Sequence, residues 1–121
     1  VSAARLHLLL AALMGAAGVA LLAAGSHLAG TQATTAGQML LFHAGAVIAA
    51  TAARKAALLQ QTTARAGVSI LIAGVVIFAS DMVLRAFFEA KLFAMAAPLG
   101  GSLAILGWLV LAVSAALAPR A

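Results

Sequence analysis

The sequence predicts an all-α fold: an integral membrane four-helix bundle with both termini cytoplasmic. Three observations carry that expectation. Hydrophobic residues make up 66% of the chain and charged residues 7%, for a mean hydropathy of +1.21, which is more apolar surface than a soluble fold can cover. The apolar residues gather into four stretches close to the roughly 20 residues that carry a helix across about 30 Å of hydrocarbon. The basic residues Arg5, Arg54, Lys55, Arg65, Arg85, Lys91 and Arg120 stand at the ends of those stretches, where cations meet headgroups. At 121 residues the chain is expected to be a single transmembrane domain, residues 1–121.

The first span is expected over Leu6 to Leu28. A basic start followed by an apolar run resembles a secretory signal, but signal cores hold only about 7 to 15 apolar residues, so an uncleaved helix is expected. "AGTQATTAG", Ala29 to Gly37, reads as a short polar turn. The second span is expected from about Gly37 to Ala53, and "RKAALLQQTTAR", Arg54 to Arg65, as a basic connection. The third span is expected over Ala66 to Leu84. Beyond it, Leu84, Phe87, Phe88, Leu92 and Met95 recur at helical spacing, predicting an interfacial extension to about residue 95. Pro98 suits the opening turn of a fourth span, Leu99 to Leu117.

Basic residues fix a direction. Arg5, Arg54, Lys55, Arg65 and Arg120 fall on one side of a four-span chain and Arg85 and Lys91 on the other, which puts the termini and the middle connection in the cytoplasm. The net charge of +5 therefore points to a lipid bilayer and not to nucleic acid, whose readers gather their basic residues on one exposed face. With no cysteine, disulfides, thiolate metal sites and thiol nucleophiles are excluded.

Helices in lipid associate through close approach at small residues. The stripes that present themselves are Ala12, Ala16, Ala20 and Ala23 in the first span, Ala46, Ala50 and Ala53 in the second, Gly67 and Gly74 in the third, and Gly100, Gly101, Ala104 and Gly107 in the fourth. The expected depth of His27, His43 and Asp81 places all three in the outer third of the membrane, and their helical spacing places all three on those stripes. An ionisable group in hydrocarbon normally points into the bundle, so a polar cluster of His27, His43 and Asp81 is the candidate site. Two alternatives stand beside it: each histidine serves only as an interhelical hydrogen-bond partner, and Asp81 pairs with Arg85 at i,i+4. Trp108, mid-helix by count, is expected to pack.

Two imidazoles and a carboxylate make weak metal candidates, but no paired ligand motif accompanies them. No metal or cofactor is expected. The other halves of the spans are almost wholly Ala, Leu, Val, Ile and Gly, which argues against a continuous ion path. Nor is there a nucleophile triad, a phosphate loop or a carboxylate pair; Ser80 beside Asp81 is a faint exception.

"LAAGSH" (Leu22 to His27), "FHA" (Phe42 to Ala44) and "APLGGSLAILGW" (Ala97 to Trp108) occur in this order. Together they resemble the signatures of the domain of unknown function 423 (YgdD-like) family of small inner-membrane proteins. The chain departs from that pattern at Leu22 and Ala24, and at Asp81, where the family has a small residue. The resemblance implies a four-helix fold, a bacterial inner (cytoplasmic) membrane location, and His27 and His43 as signature positions; it implies no activity.

The function expected is that of a non-enzymatic scaffold or accessory subunit that packs against other membrane protein subunits or forms a homo-oligomer. A metal- or cofactor-binding protein using His27, His43 and Asp81 is the first alternative, and a small channel or carrier the second.

Overall fold

The computed structural model describes residues 1–120, except for the side chain of Ala29. Among these residues there are four α-helices and no strand: α1 (Ala3–Ala24), continued by a π-helical turn (Gly25–Ala29), α2 (Gly30–Lys55), α3 (Gln61–Phe88) and α4 (Ala96–Ala116). Each, with the π turn counted into the first, is long and apolar enough to cross a membrane.

Ser2 caps α1 by accepting a hydrogen bond from the Arg5 N–H at 3.1 Å, which satisfies one of the helix's orphan donors. The polar turn expected at Ala29 to Gly37 is not a loop. The chain reverses at Gly30, whose φ of 70° and ψ of −148° lie in territory that only glycine occupies comfortably, and α2 starts there. Thr34 and Thr35 donate their hydroxyls to the carbonyls of Gly30 and Thr31, at 3.1 and 3.0 Å. Bonding four residues back satisfies the threonine hydroxyls inside the helix, at a slight cost to helix stability, so a polar composition did not mark a loop. The same geometry sets the α1–α2 crossing: a Cβ on Gly18 would lie 3.0 Å from the Gly37 carbonyl oxygen, and one on Gly37 would lie 2.9 Å from that of Gly18.

The α1 stripe of Ala12, Ala16, Ala20 and Ala23 is exposed. The buried positions are His7, Ala11, Met14 and Gly18, a different face of the helix. Alanine on every side of α1 made the two faces indistinguishable by size alone.

At the far end of α2, Ala57 adopts a left-handed conformation with φ 62°, and the Leu58 N–H returns to the Ala53 carbonyl at 2.9 Å, closing the helix in the usual C-terminal manner. Gln60 then caps α3 by accepting from the Thr63 N–H at 2.7 Å. The same residue is bonded to α4: the Ser114 hydroxyl donates to the Gln60 carbonyl at 2.8 Å, and the Gln60 N–H to the Ser114 carbonyl at 3.0 Å.

The predicted extension to residue 95 stops at Phe88. Glu89 turns left-handed with φ 51°, the Ala90 N–H bonds back to the Leu84 carbonyl, and residues 89–95 run without helix to α4. The helical spacing of Leu92 and Met95 with the preceding phenylalanines is therefore coincidental; a buried carboxylate, described below, holds this segment.

Helices α3 and α4 meet at glycines. A Cβ on Gly74 would fall 2.5 Å from the Ala104 nitrogen, one on Gly100 2.6 Å from the Phe78 nitrogen, and one on Gly107 2.8 Å from the Leu71 Cα. Gly67 is looser, 3.2 Å from Leu111 side-chain carbon, and Gly101 meets nothing within 4 Å, so Gly101 does not belong to the packing stripe. Helix α1 packs on α2, α2 on α3 and α3 on α4, with slighter α1–α3 contact, and α1 and α4 are not among the closely packed pairs. The core runs through Val47, Val68, Leu71 and Val75 of the two inner helices.

Candidate functional site

The expected cluster of His27, His43 and Asp81 is dispersed. Because α2 begins at Gly30, His43 sits about 20 Å along its axis, near the middle of the helix. Asp81 lies about 10 Å from the end of α3. Among the described residues no group of three His, Cys, Asp or Glu side chains converges as a metal site would require.

Each of the three has its own surroundings. Asp81 is 0% exposed; its Oδ2 accepts from Arg85 Nε at 2.8 Å, the i,i+4 ion pair. Its Oδ1 accepts from the Leu92 N–H at 2.9 Å. The carboxylate thereby ties the 89–95 segment to α3, and both oxygens are occupied as a buried charge demands. Arg85 is 40% exposed and reaches outward from the pair.

His43 is half-buried. Its Nδ1 lies 2.7 Å from the Met39 carbonyl oxygen, which can only accept, so Nδ1 carries the proton. The Nε2 lone pair accepts from Trp108 Nε1–H at 3.2 Å, the two rings standing 5.9 Å apart at 58°. One neutral tautomer satisfies both bonds. With its lone pair taken by an indole, His43 has no free nitrogen to offer a metal or haem. Trp108 is 48% exposed; the packing role expected for it gives way to that of a hydrogen-bond donor linking α4 to α2. His27 lies exposed on the π turn.

At the opposite end of the molecule is a second polar assembly that the sequence did not single out. His7 of α1 is buried, with Nε2 3.1 Å from the Ser69 hydroxyl of α3. That hydroxyl already donates to the Arg65 carbonyl at 2.8 Å, so the histidine donates to it, and His7 Nδ1 is left buried without a partner. Arg54, read from the sequence as a surface anchor, is 2% exposed. Its carbonyl accepts from Gln61 Nε2 at 2.6 Å, while Nε and Nη1 are buried with no partner. Spacing could have found it, for Arg54 continues the buried face of α2 through Leu40, Val47 and Ala50.

These features define a small helical protein with four helices of membrane-spanning length, a tied loop at one end, an unbalanced basic end at the other, and no convergent catalytic or metal-binding constellation among its described residues. The family model described as Protein of unknown function (DUF423) matches residues 14–101, and the chain belongs to that family. No curated protein and no solved structure matches it.

Proposed function

We propose that the chain is a multi-pass protein of the bacterial inner membrane, with its termini and the α2–α3 connection in the cytoplasm, and that it acts as a non-catalytic scaffold or accessory subunit. The observation that carries this reading is the set of large apolar residues that the outermost helices in the packing order, α1 and α4, leave uncovered. Here α1 leaves Leu9, Leu13 and Val19 exposed, and α4 leaves Ile105, Leu109 and Val113 exposed. In a bilayer such faces meet lipid tails or another helix, and they leave room for packing against other membrane subunits or a second copy of the chain. The dispersal of His27, His43 and Asp81 removes the support for a metal or cofactor centre there.

Extraction from the native membrane in mild detergent, followed by native mass spectrometry, tests the role. A defined assembly larger than one chain is expected, and a strictly solitary chain would remove the reading's basis. Topology is tested separately: the sequence lacks cysteine, so single-cysteine variants report cleanly. Cysteine at Ala57 should be protected from an impermeant external reagent, and cysteine at Glu89 should react.

A further inference from the structure

The charge distribution at the basic end leaves one group uncompensated. Arg54 is nine-tenths and more buried, keeps its charge at any physiological pH, and has two guanidinium nitrogens without a partner. The chain contains two acidic side chains, Asp81 and Glu89. Asp81 is engaged by Arg85, and both lie toward the other end of α3, which at 28 residues is about 40 Å long. Neither of these two acidic side chains can therefore reach Arg54.

Arg54 lines a recess of about 190 Å³ together with Lys55, Gln61, Arg65 and the first turn of α1, Ser2 to Ala4. That volume is well above the roughly 10–15 Å³ that one water needs and leaves room for a tetrahedral oxyanion. Its walls carry positive potential from three directions. Lys55 and Arg65 are exposed cations. The opening turn of α1 presents N–H groups that have no intrahelical acceptor, at the positive end of the helix dipole. Ser2 satisfies the Arg5 N–H alone. Nε and Nη1 are themselves buried, but the guanidinium charge is delocalised, so an anion in the recess that Arg54 lines offsets it electrostatically.

We propose that this recess is a phosphate-binding site, with Arg54 as the buried counter-charge and Arg65 and Lys55 as exposed arms. The phosphate comes either from an anionic lipid headgroup or from free phosphate. The lipid source rests on the membrane-spanning reading above, which sets the recess at the headgroup level; free phosphate does not depend on it.

The full chain is placed in nanodiscs of phosphatidylcholine, of phosphatidylcholine with a minor fraction of phosphatidylglycerol, or of phosphatidylcholine with inorganic phosphate in the buffer. The thermal midpoint is followed, and retained lipid is counted by native mass spectrometry. A raised midpoint with one retained phosphatidylglycerol establishes the lipid source, and a raised midpoint with inorganic phosphate alone establishes the free anion. No rise in either arm overturns the proposal. Arg65→Gln, at an exposed position, should weaken binding about tenfold, while Lys91→Gln, at the other end, should leave it unchanged. Equal loss in the two variants would reduce the effect to general charge attraction and overturn the site. Arg54→Leu should abolish the ligand-dependent rise and, in phosphatidylcholine alone, unfold no earlier than the wild type, because it removes an uncompensated charge. Earlier unfolding there would mean that Arg54 has a partner within the chain and would likewise overturn the proposal. A solitary chain, fatal to the scaffold reading, leaves both arms of this test standing.

Discussion

Asp81 shows how one buried side chain decides the path of seven residues. Its two oxygens hold Arg85 and the Leu92 N–H, and the second bond draws the 89–95 segment off the helical course that its hydrophobic spacing suggests. Replacing Asp81 with Ala strands the Leu92 N–H, at a cost of about 1–3 kcal/mol; Arg85, partly exposed, recovers solvation. Asp81→Asn retains an acceptor for Leu92 and should cost less. Hydrogen exchange at the Leu92 amide separates the two variants: fast exchange in the alanine variant and near-native protection in the asparagine variant. The pair itself was legible from an i,i+4 spacing, whereas the Leu92 contact, eleven residues away, was not. The His43–Trp108 bond is a second case of this kind. Removing the donor with Trp108→Phe should destabilise the chain by about 0.6 kcal/mol, the average for an interhelical hydrogen bond in lipid, as read by reversible unfolding in bilayers.

At the scale of the elements, glycine chemistry is decided by what stands opposite. Gly74, Gly100 and Gly107 face backbone atoms that cannot rotate away, whereas Gly101, in the same helix as two of them, faces open space. Gly74→Ala and Gly100→Ala must therefore push α3 and α4 apart, costing about 1–3 kcal/mol each. Gly101→Ala should be neutral or stabilising by up to about 1 kcal/mol, since it relieves the low helix propensity of glycine. Unfolding of the three variants side by side checks the contrast, and equal losses would contradict it. Gly30→Ala has a different cause of failure: its positive φ is strained for any side chain, at about 1–3 kcal/mol, although nothing lies within 4 Å of the added carbon. The sequence showed the glycines but not their partners, and it placed the start of α2 seven residues late because threonine was read as a loop former.

For the molecule as a whole, the decisive property is the order in which its helices pack, α1 on α2, α2 on α3 and α3 on α4. The outer helices α1 and α4 bury one side each, and the inner helices α2 and α3 carry most of the core. Cross-linking from single cysteines on the exposed faces, at Leu13 of α1 and Ile105 of α4, should capture a neighbouring chain in native membranes, and cysteine at core Val75 should not. Charge is as unevenly spread as packing. Both acidic side chains belong to the end holding Asp81 and Glu89, while Arg5, Arg54, Lys55 and Arg65 crowd the other.

Composition and the length of the apolar stretches were enough to determine an all-helical chain with four helices of membrane-spanning length, because hydrophobic content and rise per residue are properties of the chain alone. The family resemblance was likewise legible in three short segments. Which faces meet was decided only in three dimensions: Gly18 against Gly37, Gly74 against Gly100, Trp108 on His43, and Arg54 buried instead of displayed. In a chain so rich in alanine, several helical faces are nearly equivalent in size and polarity, and the choice between them is made by contacts with residues distant in sequence.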